Sequence, residues 1–268
     1  MSNWKDEVVG KIFFESTPVD NPILNVSRMG GNVLKLTAIL QDADTPNRNK
    51  RVYPKSIIEN ALKNPYIDEK LKTNSLAGEM NHPEPGSSLQ RQMTIDMRNI
   101  SHFIRRVYWD SKNPKLLLGD IETSANTVGR DFRDMILENG MQCSFSMRGG
   151  GDTVTKGGLD YVKDPLRILT WDAVQFPSHK AAYMISKMSE SSTLDVTMGM
   201  MTEYLSKNSE NFNVICESID CFSMDNYNLS LSEGKIIIAE KATGKMVGYS
   251  LLEQKLAKEY KDALKSLW

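Results

Sequence analysis

The chain has 268 residues, of which 40% are hydrophobic and 25% charged, with 33 Lys and Arg against 34 Asp and Glu for a net charge of −1. That length allows one large domain, or one domain with an appendage, built around a sizeable core. The near-balanced charge carries no electrostatic signature of a nucleic-acid or acidic-membrane binder.

In chain order, residues 32–41 alternate, with Leu34, Leu36, Ala38 and Leu40 on one face, and predict a strand. The polar stretch 42–50, which contains Pro46, predicts a loop, and residues 54–62 a short helix starting near Pro54. Residues 75–92 are rich in Gly, Pro, Asn and Ser and hold His82. Strands are expected at 93–109 and 115–122, separated by a turn at 110–114. A helix follows, carrying Val128, Phe132, Met135 and Ile136 at helical spacing and stopping near Gly140.

Residues 141–148 alternate again: Met141, Cys143, Phe145 and Met147 point one way, Gln142, Ser144, Ser146 and Arg148 the other. Gly149-Gly150-Gly151 is expected to end that strand, and a further strand is expected over 166–176. The Ser-, Met- and Asn-rich stretch 186–213 has weak periodicity and reads as a linker. Beyond it, 234–240 and 246–250 predict a hairpin around Thr243-Gly244, and 251–267 a helix striped by Leu252, Leu256, Tyr260 and Leu264. The class is α+β and β-rich. Residues 1–185 are expected to form the main domain, and 186–268 a linker and C-terminal extension.

Three cysteines, Cys143, Cys216 and Cys221, lack repeated spacing, which argues against a disulfide framework and for a reducing compartment. The polar, acidic N-terminus is unlike a signal peptide, and no run of 18 apolar residues suggests a membrane span. Glu79 and His82 lack the further ligands that a metal site needs, so no metal or other cofactor is expected.

Three histidines leave few ways to do acid–base chemistry near neutrality. His82 precedes Pro83, which keeps it out of the α region, and Gly78 and Gly86 flank it; a surface histidine in a turn is the plainer reading. Ser146 lies on the polar face of its strand, just before the glycines. Their free N–H groups, with Arg148, are expected to support an oxyanion there. A polar sheet face meeting solvent is the bland alternative. Asp172 shares one face of its strand with Ile168, Thr170, Val174 and Phe176, a largely apolar row where a carboxylate is costly unless it is paired. Orienting His82 would supply the partner. His102 and His179 remain alternatives for that third place, and Ser144 an alternative nucleophile.

Four segments in order carry a resemblance to a known family. They are Thr45-Pro46-Asn47-Arg48-Asn49-Lys50-Arg51-Val52-Tyr53-Pro54, with Lys50 where glycine is usual; Gly78-Glu79-Met80-Asn81-His82-Pro83; Ser146-Met147-Arg148-Gly149-Gly150-Gly151, with Met147 where a second serine is usual; and Trp171-Asp172-Ala173-Val174-Gln175-Phe176-Pro177-Ser178. Together, over roughly residues 30–185, they resemble the prohead maturation serine proteases of large tailed bacteriophages, relatives of the herpesvirus assemblins.

The resemblance implies a bent β-barrel surrounded by helices, with His82 as general base, Ser146 as nucleophile and Asp172 in the region of the third member. It also implies an endopeptidase acting on scaffold and major capsid proteins and on itself. Self-association is implied, and the setting is the immature capsid in the host cytoplasm, with neither nucleic acid nor membrane as partner. Cleavage after glutamate in a hydrophobic-x-Glu context makes Ile215-Cys216-Glu217, Leu231-Ser232-Glu233 and Ile238-Ala239-Glu240 candidate self-cleavage sequences. A catalytically inactive capsid-core protein keeping the same fold is the alternative.

Overall fold

The computed structural model describes residues 4–251, apart from 17–22, 29–32, 48, 85, 142, 176–191, 209–221, 223, 225 and 233–234. In chain order the elements are β1 (Val8–Ser16), β2 (Ile23–Arg28), β3 (Leu34–Asp42), β4 (Arg51–Val52), α1 (Lys55–Leu62), α2 (Pro65–Lys72), β5 (Ala77–Glu79), α3 (Leu89–Gln92), β6 (Ile100–Trp109), β7 (Leu116–Thr123), α4 (Thr127–Leu137), β8 (Cys143–Lys156) and β9 (Leu159–Gln175). After them come β10 (Ser192–Thr197), α5 (Met198–Lys207), β11 (Tyr227–Ser232), β12 (Lys235–Glu240) and β13 (Met246–Leu251). The class is α+β and β-rich, as expected.

Two compact units result, Gly10–Asp195 and Met1–Val9 with Val196–Trp268. The first nine residues thus group with the C-terminal part of the chain. The expected boundary near 185 lies outside the described residues, as does the expected helix over 252–267.

Strand pairing gives two five-stranded sheets, ordered β10-β1-β8-β9-β4 and β2-β3-β7-β6-β5. They share one apolar core, in which Leu34, Leu36, Ala38 and Leu40 of β3 meet Phe145 and Met147 of β8 and Ile168 and Trp171 of β9. The alternation of residues 32–41 therefore does what a half-buried strand should. Phe132 of α4 closes the core from the helical side; Asn126 caps that helix by accepting from Gly129 N–H at 2.7 Å. Among the described residues, no helix is long and apolar enough to cross a membrane.

Several elements differ from expectation for definable reasons. α2 was not expected, yet Asn64 accepts from Tyr66 N–H at 3.0 Å and Pro65 takes the first helical position, a standard start. Residues 93–99 are not strand: Asp96 caps a 3-10 turn over Met97–Asn99 by accepting from Arg98 N–H, and β6 begins only at Ile100. The three glycines lie inside β8 instead of ending it. Register shifts between Arg148 and Gly149, and between Gly150 and Asp152, bring β9 so close that a Cβ on Gly149 would press on Arg167 O. Within the stretch expected as linker, Ser192–Thr197 is a strand and Met198–Lys207 a helix burying Met198, Met201 and Leu205. Methionine and threonine blurred that period.

In the second unit, β11, β12 and β13 form an antiparallel sheet, and the expected hairpin turns at Gly244 with φ 68°. Lys50, where the family pattern has glycine, adopts φ 58°. The left-handed region explains why glycine suits that position.

Candidate active site

The two sheets are tied together where β5, at the edge of one, meets β9 of the other. Thr170 Oγ1 donates to Ala77 O at 2.7 Å, Met80 forms a parallel bridge with Ala173, and Asn81 N–H donates to Ala173 O at 2.8 Å. Asn81 then takes φ 62°, which asparagine tolerates better than most residues, and the chain turns to present His82 beside β8.

This turn brings the three expected side chains into one hydrogen-bonded line. His82 Nδ1 lies 2.7 Å from Asp172 Oδ2, and His82 Nε2 lies 2.6 Å from Ser146 Oγ. An ionised Asp172 can only accept, so Nδ1–H donates to it, and Nε2 is left to accept from the serine hydroxyl. Ser146 and Asp172 face each other directly across the β8–β9 ladder. Phe14 covers the imidazole at a centroid distance of 4.9 Å, and the His82 side chain is 12% exposed. The polar face of β8 is therefore no solvent-facing surface: Ser144, Ser146 and Arg148 are all buried.

Asp172 is clamped on both oxygens. Glu79 N–H donates to Oδ1 at 3.0 Å, Arg148 Nη2 reaches Oδ1 at 3.2 Å, and Arg148 Nε lies 3.0 Å from Oδ2. Burial alone would raise this carboxyl, but the Arg148 charge and the bonds from His82 and Glu79 N–H outweigh it and leave it below the ordinary carboxylate range.

Arg148 also binds Glu79 Oε1 at 2.9 Å and Thr94 O at 3.3 Å. The expected oxyanion role for its side chain is thus overturned, because the guanidinium is wholly buried among these acceptors. The glycine amides fare no better, since β8 runs between β1 and β9 and is paired with both. Glu79 is a residue that sequence reasoning considered only as a metal ligand. Besides Arg148 it accepts from Arg91 Nη1 at 3.0 Å, from Arg91 Nη2, from Asp96 N–H at 3.0 Å and from Asn99 Nδ2 at 3.2 Å.

The alternative candidates are not in that line. His102 is buried, with Nδ1 2.8 Å from Ser101 Oγ and Nε2 3.0 Å from Trp171 O. Burial pushes its ring down to about 4, so it stays neutral and holds the backbone next to Asp172. His179 lies outside the described residues. Ser144 Oγ is buried and makes no hydrogen bond among the described residues. No group of three or more His, Cys, Asp or Glu among them is placed to hold a metal ion.

Residues 36–243, more than half the chain, match the peptidase S80 family. The chain belongs to that family. A curated relative, the prohead core protein protease of enterobacteria phage T4, is 29% identical over 180 residues, covering 64% of this chain and 78% of that protein. The solved structure of the bacteriophage T4 capsid assembly protease, gp21, shares the fold with a TM-score of 0.50 at 24% identity, over 64% of this chain and 100% of that one. The resemblance to phage prohead proteases drawn from the four motifs is thereby shown, and the S80 match makes this chain a peptidase by family.

Proposed function

We propose that this S80 peptidase is a prohead maturation serine endopeptidase. The observation that carries the reading is the unbroken line Ser146 Oγ–His82–Asp172. In it, Ser146 attacks the scissile carbonyl while His82 Nε2 takes its proton. Asp172 fixes the ring tautomer and stabilises the imidazolium, and His82 then returns the proton to the leaving amine. An acyl-enzyme on Ser146 is hydrolysed by the reverse sequence. The substrates are scaffold and major capsid proteins inside the immature capsid in the host cytoplasm, with self-association of the protease. Gly10–Asp195 is the protease unit, Val196–Trp268 is the C-terminal extension, with which Met1–Val9 groups, and the two sheets around one core are the halves of an assemblin-like bent barrel. The names of the T4 relatives, a prohead core protein protease and a capsid assembly protease, support the substrate class.

A fluorophosphonate probe tests the chemistry. The expected result is a single adduct on the peptide containing Ser146, located by fragmentation at Ser146 and not at Ser144. Because Ser146 is buried in this conformation, the labelling rate also reports how readily the site opens. An unlabelled, folded protein would leave the inactive capsid-core reading in its place.

Self-cleavage is part of the proposal. Leu231 and Ser232 are exposed at the end of β11, whereas Ile238 is buried in the central strand of its sheet. Among the described residues, Leu231 and Ser232 pair with β12 alone, whereas Ile238 and Ala239 pair with both β11 and β13 and must leave two neighbours to extend into a protease cleft, so cleavage at Leu231-Ser232-Glu233 is favoured over cleavage after Glu240. Ile215-Cys216-Glu217 lies outside the described residues. Intact mass after prolonged incubation is expected to show a C-terminally shortened wild type and an intact Ser146→Ala; identical masses would sink this part.

A further inference from the structure

Behind Asp172 runs a row of charged side chains that the proposed steps at Ser146 do not use. The signs alternate: Asp172 negative, Arg148 positive, Glu79 negative, Arg91 positive. The first three are fully buried, and Arg91 is 30% exposed. Each is held by more than one bond. Arg148 Nη2 is shared between Glu79 Oε1 at 2.9 Å and Asp172 Oδ1 at 3.2 Å, the shorter contact being to Glu79.

Sharing has an electrostatic consequence. A carboxylate paired with a single buried guanidinium is largely neutralised, and a neutralised acid does little for an imidazolium forming beside it. A second carboxylate on the same guanidinium draws off part of its charge. Arg91 and Asn99 in turn keep that second carboxylate ionised: burial alone would raise the Glu79 carboxyl, but the bonds from Arg91 and the Arg148 charge bring it below the ordinary range.

We propose that Glu79 and Arg148 are positioning residues for the reaction at Ser146. Arg148 fixes both oxygens of Asp172 against His82, and Glu79 tempers Arg148 so that Asp172 keeps the negative charge the ring needs. This inference rests on the serine-protease reading above. The charged and titratable groups around Asp172 are His82 and Glu79 from the β5 end, Arg148 from β8, Arg91 from α3 and His102 from β6, with Tyr66 of α2 near Arg148. His102 is neutral across the range of interest and Tyr66 is pushed up by burial, so neither adds a charge there.

The test is the pH dependence of fluorophosphonate labelling in the full chain, comparing wild type with Glu79→Gln and Arg91→Gln. Removing the Glu79 charge leaves an excess positive charge near His82. The acid limb is then expected to move to lower pH by about half a unit or more, while the plateau rate drops roughly tenfold. Removing the Arg91 charge is expected to move the limb to higher pH, by less, because a partly exposed charge is screened.

Opposite shifts from two neighbouring variants are the signature, since loosened packing has no reason to change sign with the charge removed. Unshifted limbs, or shifts in the same direction, overturn the proposal. Should Glu79→Gln fail to fold, Arg91→Gln decides alone: an upward shift supports the proposal and an unmoved limb overturns it. A wild type that labels while the variants do not shift sinks only this inference. One that never labels sinks the serine-protease reading and this inference with it.

Discussion

Asp172→Asn is expected to lower kcat by about four orders of magnitude at neutral pH while leaving Ser146 slowly reactive. The amide can no longer accept on both sides. If its oxygen faces His82, its nitrogen meets Arg148 and the Glu79 N–H, both of which are donors; if it turns over, it drives His82 into the wrong tautomer. Ser146→Ala, by contrast, removes the attacking atom and is expected to cost about six orders and all labelling. Rates should be compared per folded molecule, because the Asn variant also leaves Arg148 with less buried negative charge to balance it.

The two variants separate in acid as well. Asp172 has its carboxyl held below its ordinary value, so its ionisation stabilises the fold above the unfolded carboxylate range, about pH 4, and that contribution fades as pH falls through the lower folded value. Thermal melts from pH 7 downward are expected to show this acid-side loss in Ser146→Ala and its absence in Asp172→Asn. Indistinguishable acid limbs would mean that Asp172 is not the ionised, clamped group described here.

Gly78→Ala is expected to destabilise the fold by roughly 3 kcal/mol or more, without touching any residue in the hydrogen-bonded line. A Cβ there would overlap Trp171 O and the His102 ring, and so wedge apart the bond between them. Neither neighbour has room to retreat: both are fully buried, and His102 packs against Phe132 and Phe145. Because Trp171 precedes Asp172, the displacement reaches the acid directly. For a unit of this size the melting temperature is expected to fall by about 10 °C. Gly157→Asn is the matched control, since Gly157 has φ 59° and open space around its Cβ position, and should cost under about 1 kcal/mol. Equal melting temperatures for the two variants would refute the close-packing account.

Much of the candidate site was legible in the sequence because local pattern and ordered motifs coincided. The alternation of 141–148 put Ser144 and Ser146 on one face, and the apolar row around Asp172 demanded a partner. His82 is the partner that the structure places there. Glu79, set between Gly78 and Met80, and Arg148, set between Met147 and the glycines, are charges in apolar surroundings just as Asp172 is. Charges in segments bound for the interior must find one another, yet 69 residues separate these two. Spacing alone does not announce such a pair.

The fold was less legible for the same physical reason. Glycines normally interrupt strands, and only the approach of β9 makes them an asset within β8. The α2 start was visible in Asn64-Pro65, while the strand and helix over 192–207 were concealed by methionines that carry a weak period.

Ser146 sits in mid-strand, paired with Ser16 on one side and Asp172 on the other, and not on a turn. Its address is therefore a count of rungs. Adding or deleting one residue between Ser146 and the bulge at Gly149 would rotate Phe145 or Met147 into its place, and every side chain beyond would change sides. The β8–β9 turn at Gly157-Gly158 lies beyond the two bulges that pin this count. Length can vary at that turn without being felt at the serine, so the hairpin has one end that tolerates editing and one that does not.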